Sequence, residues 1–461
     1  MQEQSTGADR NPNSAFHDTA PFQFDRAAAW EYITAPGDVY EINGQWYLTS
    51  PEAVRFAYKH FDIFSSAKVF DELPINPIPV GADRPDHARY RRILEPMFAP
   101  RTVNKFEDAL RAQVGEIIDR FATNGSCEIV QDLALPFPTQ VIMTMFGFPL
   151  EDRDKLMAWN KVILANSTVA LSTPSPKMAQ AVLQLCSYAQ GFIDKKRGKP
   201  ADDLISTLLS LTGDDAWNNE ELLGLAIFFA LAGLDAVSAT TGFVFMHLAQ
   251  NPELQHRIVA DPSLIPRLVE EVLRLEPSTP FIPRVTIKDV EVCGKTIPAG
   301  SYCHLAFGAV NRAGRGDSAN CIDLSSAEQG HLSFGGGIHR CIGSHLSRLL
   351  LRIIVEEFHK RISEYTLVEG FQPEVAWPSG AIQPKSLPIV FPVKSERITL
   401  DSDKCAGHGR CYILAPQLFQ DDERGYATVV GTGEISPESS EIARKAVRAC
   451  PERAISIKIK E

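Results

Sequence analysis

Apolar residues recur at three- and four-residue spacing through much of the chain. Ala109, Val114, Ile117, Ile118 and Phe121 trace one such stripe. That period puts them on one face of an amphipathic helix. The same pattern, divided by Pro- and Gly-containing breaks, predicts mostly helical structure from about Phe106 to Arg274. The longest apolar run, Leu222 to Val237, is broken by Asp235 and falls short of a membrane span. Residues 284–310 read differently, as short strands with a turn at Pro298-Ala299-Gly300. A helical run follows from Ser344 to Phe358, and strand-like Leu387 to Val393 closes a large unit. The polar hinge Lys394, Ser395, Glu396 and Arg397 is too short for a flexible tether. The expected organisation is a mainly α domain with a small β portion over 1–393, a linker at 394–397 and a compact module at 398–461.

Composition narrows the function. The 461 residues are 44% hydrophobic and 22% charged, enough for a sizeable core. A net charge of −11 argues against nucleic acid or an anionic membrane surface as partner. The N-terminal stretch is polar and shows no signal-peptide apolar region, so a cytoplasmic location is expected. Nine cysteines, an odd number with two groups in ligand-like surroundings, suit ligation better than disulfides.

One group is Cys341, which ends the run Phe334-Gly335-Gly336-Gly337-Ile338-His339-Arg340-Cys341-Ile342-Gly343 just before a helix. A thiolate near a helix N-terminus is stabilised by free N–H groups and the helix dipole. The glycines let the backbone approach a large flat ligand. A structural cysteine in a Gly-rich turn is the plainer reading. The run resembles the haem-binding loop of the cytochromes P450, with every fixed position of F-G-x-G-x-H-x-C-x-G present. The resemblance implies that Cys341 is the axial ligand of haem b.

Further segments resemble the same family in the same order. Glu271-Val272-Leu273-Arg274 matches its E-x-x-R, which implies a buried structural pair of Glu271 and Arg274 across one helical turn. Asp86 to Arg91 resembles the helix contacting the haem propionates. His87 and Arg91 are the implied contacts there, and Arg284 and His339 are further candidates. Ala232-Gly233-Leu234-Asp235 resembles the distal helix, where Ala232 and Gly233 lie over the haem and Asp235 is a candidate proton carrier. The chain departs from the family at Ala236, where a hydroxyl residue is usual. Thr240, one turn on, is the better substitute and Ser238 the poorer. Phe70, Leu73, Ile75, Ile78, Phe228, Phe229 and Phe281 are expected to line an apolar substrate pocket or to be ordinary core. Ser65, Ser66 and Lys68 are candidates to hold a substrate carboxylate.

The second group is Cys405-Ala406-Gly407-His408-Gly409-Arg410-Cys411 with Cys450-Pro451. This is the C-x2-C-x2-C…C-P spacing of iron–sulfur proteins with His408 at the second ligand position. Three thiolates suit a 3Fe–4S cluster. A histidine-ligated 4Fe–4S cluster and a Cys3His zinc site remain open. The module resembles the small α+β bacterial ferredoxins that serve cytochromes P450. Together these resemblances imply a haem-thiolate monooxygenase fused to its ferredoxin. It would insert one oxygen atom of O2 into an apolar small molecule, with electrons from a separate NAD(P)H-dependent reductase. No dinucleotide-binding G-x-G-x-x-G follows a strand and opens a helix here. A non-catalytic haem and iron–sulfur relay or sensor is the alternative.

Overall fold

The computed structural model describes residues 16–164, 175–325, 330–378, 381–393 and 396–459. The polar N-terminal stretch through residue 15 and the hinge residues Lys394 and Ser395 lie outside them. The chain forms two compact units. One comprises the chain up to Ile118 together with Glu128–Ile389, the other Asp119–Cys127 with the chain from Val390 onward. Helix accounts for 53% of the structure and strand for 13%, so the fold is mainly α.

In the larger unit, six helices position the chemistry. They are α1 (Pro51–Lys59), α2 (Asp86–Phe98), α3 (Asn219–Ala232), α4 (Ala236–Gln250), α5 (Ile265–Leu275) and α6 (Ser344–Arg361). Sequence fixes their starts. Ser50 accepts the Ala53 N–H at the head of α1, where Pro51 fills the first turn. At the head of α3, Asn218 accepts the Glu221 N–H and the Glu221 carboxylate accepts the Asn218 N–H, a reciprocal pair. The two apolar helices α3 and α4 are buried along most of their length. The stretch 219–250 is long and apolar enough to cross a membrane, but 72% of its most apolar window is buried inside the protein. It therefore behaves as core.

A five-stranded sheet flanks the helices. Its strands are β1 (Val39–Ile42), β2 (Gln45–Leu48), β3 (Phe64–Ser65), β4 (Phe281–Thr286) and, after the hairpin β5 (Val290–Val292) and β6 (Lys295–Ile297), β7 (Tyr302–Ala306). The spatial order is β1-β2-β7-β4-β3. The antiparallel register of β4 on β7 pairs Phe281 with Ala306 and Arg284 with Cys303.

The smaller unit is built on an antiparallel sheet of β8 (Glu396–Leu400), β11 (Glu434–Ile435) and β12 (Ile455–Ile459), with β8 in the middle. Ile398 lies opposite Ile457. A hairpin, β9 (Phe419–Asp421) with β10 (Ala427–Val429), and two helices, α7 (Arg410–Leu414) and α8 (Ser440–Ala449), complete it. Its core gathers Ile398, Cys411, Leu418, Phe419, Ala443, Ala446 and Ile455, with Cys405 and Cys450 packed against it.

Candidate functional site

The cysteine loop closes on itself before α6 begins. The Gly335 N–H donates to the Leu332 carbonyl and the Cys341 N–H to the Phe334 carbonyl, both at 2.7 Å. Gly335 and Gly337 have φ of +68° and +63°, a region that favours glycine. The Cys341 thiol keeps solvent-accessible surface although protein surrounds it closely, as expected of a group lining a recess. Burial pushes the thiol pKa up, while the Gly343 N–H and the guanidinium groups of Arg91, Arg340 and Arg348 oppose that rise. A ligand that takes up the thiolate charge would relieve the burial cost.

Near this loop the fold gathers donors that lack an anion. Arg284 is 6% exposed, and its one hydrogen bond goes from Nη1 to the neighbouring Pro283 carbonyl at 2.7 Å. Burial lowers its pKa against the opposing field of the Asp83 carboxylate, with which it makes no direct ion pair among the described residues. His87 is buried, and its Nε2 has no hydrogen-bond partner among the described residues. The His339 ring lies 4.2 Å from the His87 ring. Burial and neighbouring cations hold both imidazoles neutral, His87 at about 4 and His339 at about 2. Arg91, one turn beyond His87, is already engaged. It donates from Nη1 to the Arg340 carbonyl at 2.8 Å and from Nε to Glu95 at 2.9 Å. It thus braces the cysteine loop.

The distal segment is broken between α3 and α4, at Gly233-Leu234-Asp235. The carbonyls of Ala230 and Leu231 accept from the buried Asn160 amide, so the end of α3 is satisfied from outside the helix. At Gly233 a Cβ would lie 2.8 Å from the Phe229 carbonyl oxygen and 2.9 Å from Ile142 Cγ2, so only glycine fits. Asp235 stands at the N-cap of α4, yet its carboxylate caps nothing. Oδ1 is buried and unpartnered, and burial raises the carboxyl pKa to about 6. Ala232 is exposed and Ala236 half-buried, while the helix from Val237 to Met246 is buried throughout. Thr240 donates its hydroxyl to the Ala236 carbonyl at 2.9 Å, and Ser238 donates to the Leu234 carbonyl at 3.2 Å.

On α5, Arg274 grips Glu271 with two bonds of 2.9 and 2.8 Å, both side chains buried. The same guanidinium donates to the carbonyls of Ser318, Ala319 and Cys321, and Glu271 accepts the Asp323 N–H. The pair thereby ties the irregular segment 318–323 to α5. Burial would raise the Glu271 pKa, but these donors hold it below the usual carboxylate range.

In the smaller unit Cys405, Cys411 and Cys450 converge on one side of the core, close enough for the other two thiols to influence Cys411 electrostatically. Gly407 and Gly409 have φ of +71° and +74°, which turns the loop between the first two thiols. The Ala454 N–H donates to Cys450 Sγ at 3.3 Å. His408 Nε2 is 3.0 Å from Glu452 Oε1, at the surface. No group of three or more His, Cys, Asp or Glu side chains among the described residues is arranged to share a single metal ion.

The family model for cytochrome P450 matches residues 43–314, more than half of the chain. The chain belongs to the cytochrome P450 family. It is an oxidoreductase of the monooxygenase type. A second model, the 4Fe-4S single cluster domain, matches residues 398–457. The P450 part is 32% identical over 322 residues to a mycinamicin IV hydroxylase/epoxidase of Micromonospora griseorubida, covering 68% of this chain and 79% of that protein. It is 31% identical to a vitamin D(3) 25-hydroxylase of Pseudonocardia autotrophica, covering 65% and 74%. Among solved structures, a mutant of P450 EryK in complex with erythromycin B superposes with a TM-score of 0.73 at 26% identity, covering 80% of this chain and 97% of that one.

In this P450 the residues present fit a haem. A buried Arg284 and the unpartnered His87 Nε2 call for an anion. The propionates of a haem are carboxylates of that kind, and a thiolate at Cys341 would be of the soft kind that haem iron takes. The cysteine loop lies beyond the segment matched by the family model, so its evidence is its own sequence and geometry.

The P450 pocket differs from the expected list. Phe281 is fully buried in a core cluster, 4.4 Å from the His17 ring and 5.4 Å from Trp30, because β4 packs it against the N-terminal helix Arg26–Thr34. Phe229 is 3.7 Å from Phe146 and stacks on Phe98 at 5.9 Å. Ile78 is buried against α3, where its N–H donates to the Gly224 carbonyl. These three are core. Phe70, Leu73, Ile75 and Phe228 stay half-buried and available. The polar candidates are also spent. Ser65 donates to Asp83, Ser66 donates to the Val80 carbonyl, and the exposed Lys68 pairs with Asp71. Tyr58 on α1, which the sequence did not single out, packs against the cysteine loop. Its spacing on a short amphipathic helix carries no signal of that.

Proposed function

We propose that Cys341 is the axial haem ligand and that Arg284, His87 and His339 hold the propionates. The observation that carries this is the pairing of an accessible thiol at the head of α6 with buried donors that lack an anion. When bound, the haem supplies reductive O2 chemistry: substrate C–H, O2, two electrons and two protons give the hydroxylated product and water.

The chain's own residues manage protons and access. Asp235, with a pKa of about 6, can take up a proton from solvent and release it inward near neutral pH. Its carboxylate is free to do so because it caps no helix. The break at Gly233 opens the backbone beside it. Ala236 contributes no hydroxyl, and Thr240 spends its proton on the Ala236 carbonyl, so Asp235 is the carrier. The half-buried Phe70, Leu73, Ile75 and Phe228 exclude water and favour an apolar small molecule.

The smaller unit supplies the electrons, drawn from a separate NAD(P)H-dependent reductase. Three thiols and a His408 turned toward Glu452 support a 3Fe–4S cluster over a histidine-ligated 4Fe–4S one. Covalent linkage raises the effective concentration of donor at acceptor. The module has ten Lys and Arg against ten Asp and Glu from Arg397 to Glu461, so little charge steering is available. A cytoplasmic location goes with this reading.

The test is the reduced carbon monoxide adduct. Thiolate ligation gives it a far-red-shifted Soret band. That band should be present in the parent protein and absent in Cys341→His. Screening apolar compounds for a shift of the resting Soret band then identifies the substrate class.

A further inference from the structure

Three consecutive glycines of the cysteine loop pack on one residue. A Cβ at Gly336 would lie 3.0 Å from the Tyr58 ring, one at Gly337 2.9 Å from the Tyr58 carbonyl oxygen, and one at Gly335 3.7 Å from the Tyr58 hydroxyl. The family pattern leaves the position of Gly336 free. Here the tyrosine ring explains the glycine, since any side chain would have to displace it.

The tyrosine hydroxyl is more informative than the ring. It is shielded from solvent and has no hydrogen-bond partner among the described residues. The Gly336 N–H and the Arg284 guanidinium both act on it electrostatically. Both are donors, and neither can take the phenolic proton. A buried hydroxyl left in that state is unfavourable. Arg284 is in the complementary state, a buried cation with no ion pair among the described residues. One acceptor with negative charge, placed between them, satisfies both.

We infer that Tyr58 is a haem-propionate ligand of this protein, donating its hydroxyl to the carboxylate that Arg284 pairs with. The inference rests on the haem-thiolate reading and adds a contact from α1. It also joins propionate binding to the cysteine loop, because the residue that donates to the carboxylate is the one on which Gly335 to Gly337 rest.

The experiment uses the full-length holoprotein and its Tyr58→Phe variant, which keeps the ring and removes only the donor. Haem transfer to excess apomyoglobin should be roughly ten- to hundredfold faster in the variant, the loss of one hydrogen bond to a charged group. Its haem midpoint potential should fall, because a carboxylate with one donor fewer favours the ferric state. The reduced carbon monoxide band should stay where it is, since the thiolate is untouched. Gly336→Ala, which pushes the ring away with the hydroxyl intact, should speed haem loss in the same direction. If Tyr58→Phe loses haem at the parent rate with an unchanged potential, the phenol is satisfied by water and the inference is wrong. A parent protein without the far-red band would instead sink the haem-thiolate reading itself.

Discussion

Thr240 donates its hydroxyl to the carbonyl of Ala236 at 2.9 Å, one turn back along the same helix. The better placed of the hydroxyls that could stand in for one at 236 is thus tied to the backbone of residue 236. Such back-bonding is common for threonine inside helices and leaves the hydroxyl only its lone pairs to offer. Ala236→Thr restores a hydroxyl beside Asp235. The variant should keep its haem and convert a larger share of reducing equivalents into product. Equal product per NADH in variant and parent would show that proton delivery does not pass this position.

Asp235 makes a pH-dependent prediction. Its pKa is raised from 3.8 to about 6 by burial. The folded state therefore binds this proton more tightly than the unfolded state. Stability from this group is present below about pH 4 and is lost as pH rises toward 6. Two units correspond to about 3 kcal/mol at most. Asp235→Asn removes the charge, so its melting temperature should exceed that of the parent at pH 7.5, with the gap closing toward pH 4. Turnover should slow in the same variant while substrate affinity holds. A gap that does not change with pH would place the carboxyl in contact with solvent.

Glu271 and Arg274 are both buried and depend on each other. Glu271→Gln leaves a buried guanidinium without its counter-charge and frees the segment 318–323. A loss of about 3–5 kcal/mol is expected. It should be read as a lower melting temperature together with reduced haem content after purification. Retention of both would mean that the backbone carbonyls around Arg274 suffice.

Gly233→Ala tests the distal break. The added methyl meets a backbone oxygen at 2.8 Å and cannot be accommodated by a rotamer change. Destabilisation of about 1–3 kcal/mol is expected, visible as a lower denaturant midpoint. A wild-type midpoint would show that α3 shifts freely at its end.

For the smaller unit, anaerobically purified protein should contain more iron than its haem supplies, with acid-labile sulfide. Zinc without sulfide would refute the cluster. His408→Cys adds a thiol at the second position of the loop and should convert a 3Fe–4S signal to a 4Fe–4S one after iron is added. If the parent already holds four irons and His408→Ala loses one, histidine is a ligand.

What the sequence determined by itself is whatever local geometry suffices to express. The loop before Cys341 needs glycines and ends at a helix, so its geometry was legible from ten residues. Glu271 and Arg274 meet because three residues make nearly one turn. The spacing from Cys405 to Cys411 sets two thiols of one loop. Gly233 stood out inside an apolar run, but that the helix breaks there was decided by the fold. Tertiary structure decided the rest. Phe229, Phe281 and Ile78 are as apolar as pocket residues, and only their packing partners show that they are core. Ser65 and Ser66 were chemically suited to a carboxylate ligand, and the fold spends them on Asp83 and Val80. Tyr58 lies far along the chain from the glycines it supports, and no local pattern links them. Hydrophobicity and hydrogen-bonding capacity are properties of a side chain, but what satisfies them is a property of the fold.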